Sequence, residues 1–221
     1  MLNEVKGKLI ISCQALPDEP LHSPFIMGRM ALAATQGGAS GIRAQSMADI
    51  LEIKKNTDLP IIGIVKRNYD DSEIYITPTK KEVDELLAVG CDMIALDATN
   101  RTRPHGEKLE DLVAYIKSHG IETMADCSTY EECVEAQRIG FDCVSTTMCG
   151  YTPYSEVVEG PNIELIKRLV ADLDIPVIAE GKINTPEDLR AVLDAGAYCA
   201  VVGGAITRPQ NIAKRFSAVI E

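Results

Sequence analysis

Apolar positions along the chain fall into two alternating kinds of run. Four short segments, KLIISC (8–13), PIIGIV (60–65), IETMA (121–125) and IPVIA (175–179), are predominantly apolar, as strands covered on both faces are. Between them a single phrase recurs: a helical stretch, a glycine, then an apolar strand. It appears as ALAATQGGASGIRA (31–44), ELLAVGCDMIALDA (85–98), EAQRIGFDCVSTT (135–147) and AVLDAGAYCAVVGG (191–204). Each glycine stands where a helix C-terminus takes a left-handed residue. Amphipathic segments fill the intervals at about 23–36, 45–55, 79–89, 107–118, 128–139, 162–172, 185–195 and 209–220. Several open on capping signals, among them STYEE at 128, TPED at 185 and RPQN with Pro209 as first helical residue.

Eight strands alternating with eight helices predict a parallel sheet. Eight units of about 28 residues predict that it closes into a (β/α)8 TIM barrel, one domain spanning residues 1–221. An open doubly wound sheet is the other arrangement of such units, but no G-x-G-x-x-G follows the first strand. Connections from helix to strand are short. Two from strand to helix are long, KRNYDDSEIYITPT (66–79) and TMCGYTPYSEVVEGP (147–161). Loops of that length in a compact domain are usually functional, and in a barrel they rise from the C-terminal ends of the strands.

The formal charge of −11 argues against nucleic acid as a partner, yet a local positive site for a small anion is compatible with it. No apolar run approaches the length of a membrane span. The N-terminus MLNEVKGKLIISC has no long apolar stretch with a cleavage site, so no signal peptide is expected and the cytoplasm is the expected location. Seven cysteines without a C-x-x-C pair read as reduced core thiols, with Cys13, Cys91, Cys143 and Cys199 in or beside apolar runs.

Charge at the strand ends changes the picture most. The first, third, fifth and seventh strands run out into Gln14, Lys66, Asp126 and Glu180, the second into Arg43 and the fourth into Asp97. Inward residues of alternate strands share a layer, so the odd set predicts a polar ring at the barrel mouth, with Lys66 facing Glu180 across it. Each residue also has a plainer use. Lys66 could snorkel to solvent beside Arg67, Glu180 could merely pair with Lys66, and Asp126 could cap the helix near Ser128. Gln14 and Arg43 could line the mouth as scaffold. Charge on four strands at one level is nonetheless costly without a ligand.

After the seventh strand comes EGKINTPEDL, and after the eighth GGAITRPQNI. Gly181, Gly203 and Gly204 let backbone N–H groups approach an anion, the helix opening at Pro209 favours negative charge, and Arg208 adds a charged donor. These segments predict a phosphate site. A lysine desolvated at a strand end can serve as a base. Two chemistries then remain: proton abstraction beside a carbonyl, or Schiff-base formation on Lys66 as in an aldolase. A non-catalytic sugar-phosphate-binding barrel is a third reading. His22, His105 and His119 end no core strand, which argues against a histidine-ligated metal.

The segments ISCQALP (11–17), GIRAQ (41–45), GIVKR (63–67), DCST (126–129), AEGKINTPED (179–188) and VVGGAITRP (201–209) resemble, in this order, those of the N-acetylmannosamine-6-phosphate 2-epimerase family. The likeness runs from about residue 7 to the C-terminus. It implies a barrel that interconverts N-acetylmannosamine 6-phosphate and N-acetylglucosamine 6-phosphate in sialic acid catabolism, with no metal, no organic cofactor and a homodimeric assembly. It also implies Lys66 and Glu180 as catalytic groups and Gln14, Arg43 and Asp126 as sugar contacts. Phosphate contacts would come from Gly181, Lys182, Ile183 and Asn184 and from the segment with Gly203, Gly204 and Arg208.

Overall fold

In the computed structural model, which describes residues 1–220, eight strands close into a parallel barrel in sequence order. They are β1 (Leu9–Cys13), β2 (Gly41–Gln45), β3 (Ile61–Ile64), β4 (Met93–Asp97), β5 (Glu122–Asp126), β6 (Cys143–Ser145), β7 (Val177–Glu180) and β8 (Cys199–Val202). Closure is made by β8 on β1, with Leu9 opposite Ala200 and Ile11 opposite Val202. The helices are α1 (Leu2–Val5), α2 (Pro24–Gln36), α3 (Met47–Lys54), α4 (Lys80–Val89), α5 (Leu109–Ser118), α6 (Tyr130–Ile139), α7 (Ile163–Asp172), α8 (Pro186–Asp194), α9 (Gly204–Thr207) and α10 (Pro209–Ser217). The expected alternation is present, with ends displaced by a few residues.

Local chemistry explains most of the boundaries. Thr79, Thr129 and Thr185 each cap a helix in a reciprocal capping box, with Glu82, Glu132 and Asp188 reaching back to the cap backbone. The glycine of each repeated phrase, at Gly38, Gly90, Gly140 and Gly196, adopts positive φ, the conformation that lets the chain leave a helix and enter the next strand.

Alternation along the strands separates two apolar shells. Ile10, Ile62, Ile64, Met93, Met124, Ile178 and Val201 fill the barrel interior, while Ile11, Ile42, Ile94, Val144 and Ala200 face the helices. The cysteines are free thiols, and Cys143 and Cys199 sit in the inner shell. The short α1, unanticipated from the sequence, plugs the N-terminal end. Val5 is fully buried in the inner shell, and Tyr198 Oη donates to Leu2 O at 3.2 Å. Filling and plugging one end leaves the opposite mouth as the place for a ligand. Among the described residues no helix is long and apolar enough to cross a membrane.

The outer shell has no room to spare at Gly63, on the face of β3 turned to α4. A methyl group there would collide with Cys91 Sγ and stand 2.9 Å from Leu86 Cδ2. Gly63→Ala is expected to lose about 1–3 kcal/mol of stability by overpacking. The check is urea unfolding, with a lowered midpoint and unchanged slope; an unchanged midpoint would contradict the packing described.

Candidate active site

Strand alternation places the charges as it places the core. Along β2, Ile42 and Ala44 face the helices, which turns Arg43 inward. Along β3 and β5, Ile64 and Met124 belong to the interior, so Lys66 and Asp126, two residues on, continue the inner row at the mouth. Glu180 follows Ile178 on β7 in the same way. Arg67 points outward and pairs with Glu82 and Glu85 of α4.

Arg43 is the centre of this layer and is 1% exposed. It crosses the barrel to donate two parallel hydrogen bonds to Asp126, from Nη2 to Oδ2 at 2.6 Å and from Nη1 to Oδ1 at 3.0 Å. Nη1 also donates to Glu180 Oε2 at 2.9 Å. Thr147 Oγ1 joins the two acids, 2.8 Å from Asp126 Oδ1 and 3.1 Å from Glu180 Oε2. Burial opposes the charge on Arg43, but Asp126 and Glu180 outweigh it and hold the guanidinium protonated beyond its ordinary value. Burial pushes Glu180 the other way, up to about 7; Arg43 resists that rise and the charge of Asp126 adds to it.

Lys66 stands two residues beyond the end of β3, on a hairpin formed by the long connection. It bridges Ile76 in antiparallel fashion, Arg67 N donates to Tyr75 O at 3.0 Å, and Thr77 N donates to Val65 O at 2.8 Å. The buried Arg103 locks the return of this hairpin, donating to Thr77 O at 3.3 Å and Pro78 O at 2.9 Å and also to Asp97 O. Lys66 itself has no carboxylate within ion-pair distance among the described residues, since Glu180 is taken by Arg43. Burial first, and then the positive charges of Arg43 and Arg208, lower its pKa to about 8 against the pull of Glu180 and Asp126.

Lys66 and Glu180 line one cavity of about 510 Å³ at the C-terminal mouth. Gln14 lines it too, giving its amide N–H to Ser12 Oγ at 2.8 Å while its Oε1 is buried without a partner. At the other edge lie Gly181, Lys182, Ile183, Asn184, Gly203, Gly204 and Arg208, so the two expected phosphate segments meet. Gly181 and Lys182 both take positive φ, 99° and 55°. The Lys182 ammonium turns away, donating to Val158 O at 2.8 Å in the 147–161 loop.

The expected residues are therefore gathered, with one placed differently. Asp126 is fully buried behind Arg43, its oxygens spent on Arg43 and Thr147, and it does not line the cavity. Nor does it cap the following helix, which Thr129 does. Ser12, Tyr75, Thr147, Asn211 and Arg215 line the cavity as well. Ser12 was legible as the inward residue two before Gln14. The others lie in loops or on α10, where no periodicity marks them.

The architecture and these residues can be set beside known proteins. Residues 27–221 match a family model described as "Putative N-acetylmannosamine-6-phosphate epimerase". A protein of Clostridioides difficile (strain 630) named as a putative N-acetylmannosamine-6-phosphate 2-epimerase is 65% identical over 221 residues, all of this chain and 99% of its own length. A solved N-acetylmannosamine-6-phosphate 2-epimerase from Clostridium perfringens is 66% identical and superposes with a TM-score of 0.98, covering 99% of this chain and 96% of that one. Thiamine phosphate pyrophosphorylase from Pyrococcus furiosus, at 23% identity and a TM-score of 0.61, shares the fold alone.

The pairing of Arg43 and Asp126 has a measurable consequence for stability. Asp126→Ala leaves a buried guanidinium with Glu180 as its remaining acidic partner, and a loss of about 3–5 kcal/mol is expected. Denaturant unfolding checks it; a loss below about 1 kcal/mol would mean that the pair is solvated.

Proposed function

The chain belongs to the N-acetylmannosamine-6-phosphate epimerase family, and from that membership we propose that it interconverts N-acetylmannosamine 6-phosphate and N-acetylglucosamine 6-phosphate by removing and restoring the proton on C2. The observation that carries the reading is a pair of proton-transfer groups on one cavity, both displaced toward neutrality. Lys66 titrates near 8 and Glu180 near 7. An amine and a carboxyl so matched exchange protons with little loss of free energy near neutral pH.

In this reading the phosphate lies against Gly181–Asn184, Gly203, Gly204 and Arg208, at the N-terminal end of α10. The sugar extends toward Lys66 and Glu180. Gln14 Oε1, buried and unpartnered, accepts from the sugar. The ring opens, and the aldehyde at C1 acidifies the proton on C2. Neutral Lys66 takes that proton, Arg43 steadies the enolate oxygen, and Glu180 returns a proton to the opposite face. In the reverse direction the two exchange roles. Asp126 serves through Arg43, whose plane it fixes. The reaction would be a step in the breakdown of sialic acid, in the cytoplasm. Homodimer formation is part of the proposal: α10 buries none of its residues, and Phe216, Val219 and Ile220 at that end stand about three-quarters or more exposed.

Four measurements test the chemistry. Lys66→Ala is expected to lower kcat by roughly 10³-fold with the fold intact; near-normal turnover would remove Lys66 from the mechanism. Because each direction needs one group protonated and the other not, kcat/KM is expected to trace a bell with limbs near 7 and 8 and its maximum between them. A single limb would leave one group without a role. Single turnover in deuterated water is expected to place deuterium at C2. Retained protium would mean that Lys66 serves both faces, and a borohydride-trapped adduct on Lys66 would favour the Schiff-base chemistry instead.

A further inference from the structure

Arg208 does not enter the cavity as a loose cation. Its Nε donates to Glu19 Oε1 and its Nη2 to Glu19 Oε2 at 3.0 Å. Glu19 lies in the connection between β1 and α2, 189 residues away in sequence. The carboxylate is anchored independently: Oε2 accepts from Leu16 N at 2.7 Å and Oε1 from Gln210 Nε2 at 3.4 Å. The connection is tied to the barrel in turn, where Gln45 Nε2 donates to Ala15 O at 2.8 Å. Hydrogen bonding from Arg208, the largest influence, keeps the Glu19 carboxyl below its ordinary range and so ionised.

A planar guanidinium gripped along one edge by both oxygens of a carboxylate has its plane fixed. The edge that Glu19 grips is Nε and Nη2, which leaves Nη1 unengaged. That nitrogen lies on the side of Gly204, where a Cβ would stand 3.5 Å from it. The free end of Arg208 is thus turned to the glycine segment that forms the phosphate edge. A carboxylate placed to compete with phosphate would hold the opposite end and would lack anchors of its own.

We propose that Glu19 is a positioning residue for phosphate recognition: it fixes Arg208 so that Nη1 meets the substrate phosphate without a search over side-chain conformers. The inference rests on the phosphate site proposed above and names a determinant of it that touches no substrate. Its negative charge is a cost to binding an anion, offset by Lys182 and Arg215, which line the same cavity. The gain is the ordering of a long, flexible side chain before the substrate arrives.

The test is steady-state kinetics with inorganic phosphate as a competitive inhibitor, on Glu19→Ala, Glu19→Gln, Arg208→Met and the double variant Glu19→Ala/Arg208→Met. Glu19→Ala is expected to raise KM and the phosphate inhibition constant together by roughly five- to tenfold, the ordering cost of one such side chain, while kcat changes far less. Glu19→Gln, which keeps one acceptor oxygen, should fall between. Once Arg208 is gone, removing Glu19 should add nothing. A KM that stays level or falls in Glu19→Ala, with Arg208→Met raising it, overturns the role of Glu19 and leaves the phosphate site standing. Unchanged phosphate affinity in Arg208→Met overturns both.

Discussion

The positive charge of Arg43, enclosed in the barrel, is the constraint from which the mouth of this protein is built. A guanidinium withdrawn from water costs several kcal/mol unless its donors are met. Here the two terminal nitrogens are met by Asp126 from β5 and Glu180 from β7, and Nε is buried without a partner. The consequences spread outward. Glu180 is fixed with one oxygen on Arg43 and remains at the cavity wall. Lys66, kept without a carboxylate of its own, is pushed toward its neutral form by burial and then by the nearby guanidinium charges. One buried cation thereby orients the acid and helps to discharge the base.

The barrel makes this arrangement possible because it brings the C-terminal ends of distant strands to one level. Arg43 and Asp126 are 83 residues apart in sequence yet form the shortest contact of the layer, at 2.6 Å. The same closure lets an acidic protein, of formal charge −11, gather a cationic edge at its mouth. Charge is a property of the site here, not of the whole surface. The long connections supply what strands cannot. One folds back as a hairpin that carries Lys66, and another yields Val158 as acceptor for Lys182, so that the lysine braces a loop.

Much of this was legible in the order of residues, for identifiable reasons. Glycine after each helical stretch, threonine with an acid three residues on, and apolar runs of four or five mark nearly every strand and helix. Alternation continued past each strand end also marks Lys66, Asp126 and Glu180 as inward. Alternation tells which face a residue occupies, but not which partner it meets across a closed barrel. For that reason the pairing of Lys66 with Glu180 gives way to Arg43 with Glu180, and Asp126 moves behind Arg43. The hairpin at 66–77 carries no strong turn dipeptide and reads as a loop. Glu19 sits in an aperiodic stretch, PDEP, where only three-dimensional proximity to Arg208 distinguishes it from any surface acid.

The discharge of Lys66 by its surroundings can be measured directly. Lysine side-chain nitrogens labelled for NMR, with the Lys66 signal assigned by its disappearance in Lys66→Met, give the titration of that one ammonium. A midpoint near 8 is expected. A midpoint at about 10.4, the value of a free lysine, would contradict it.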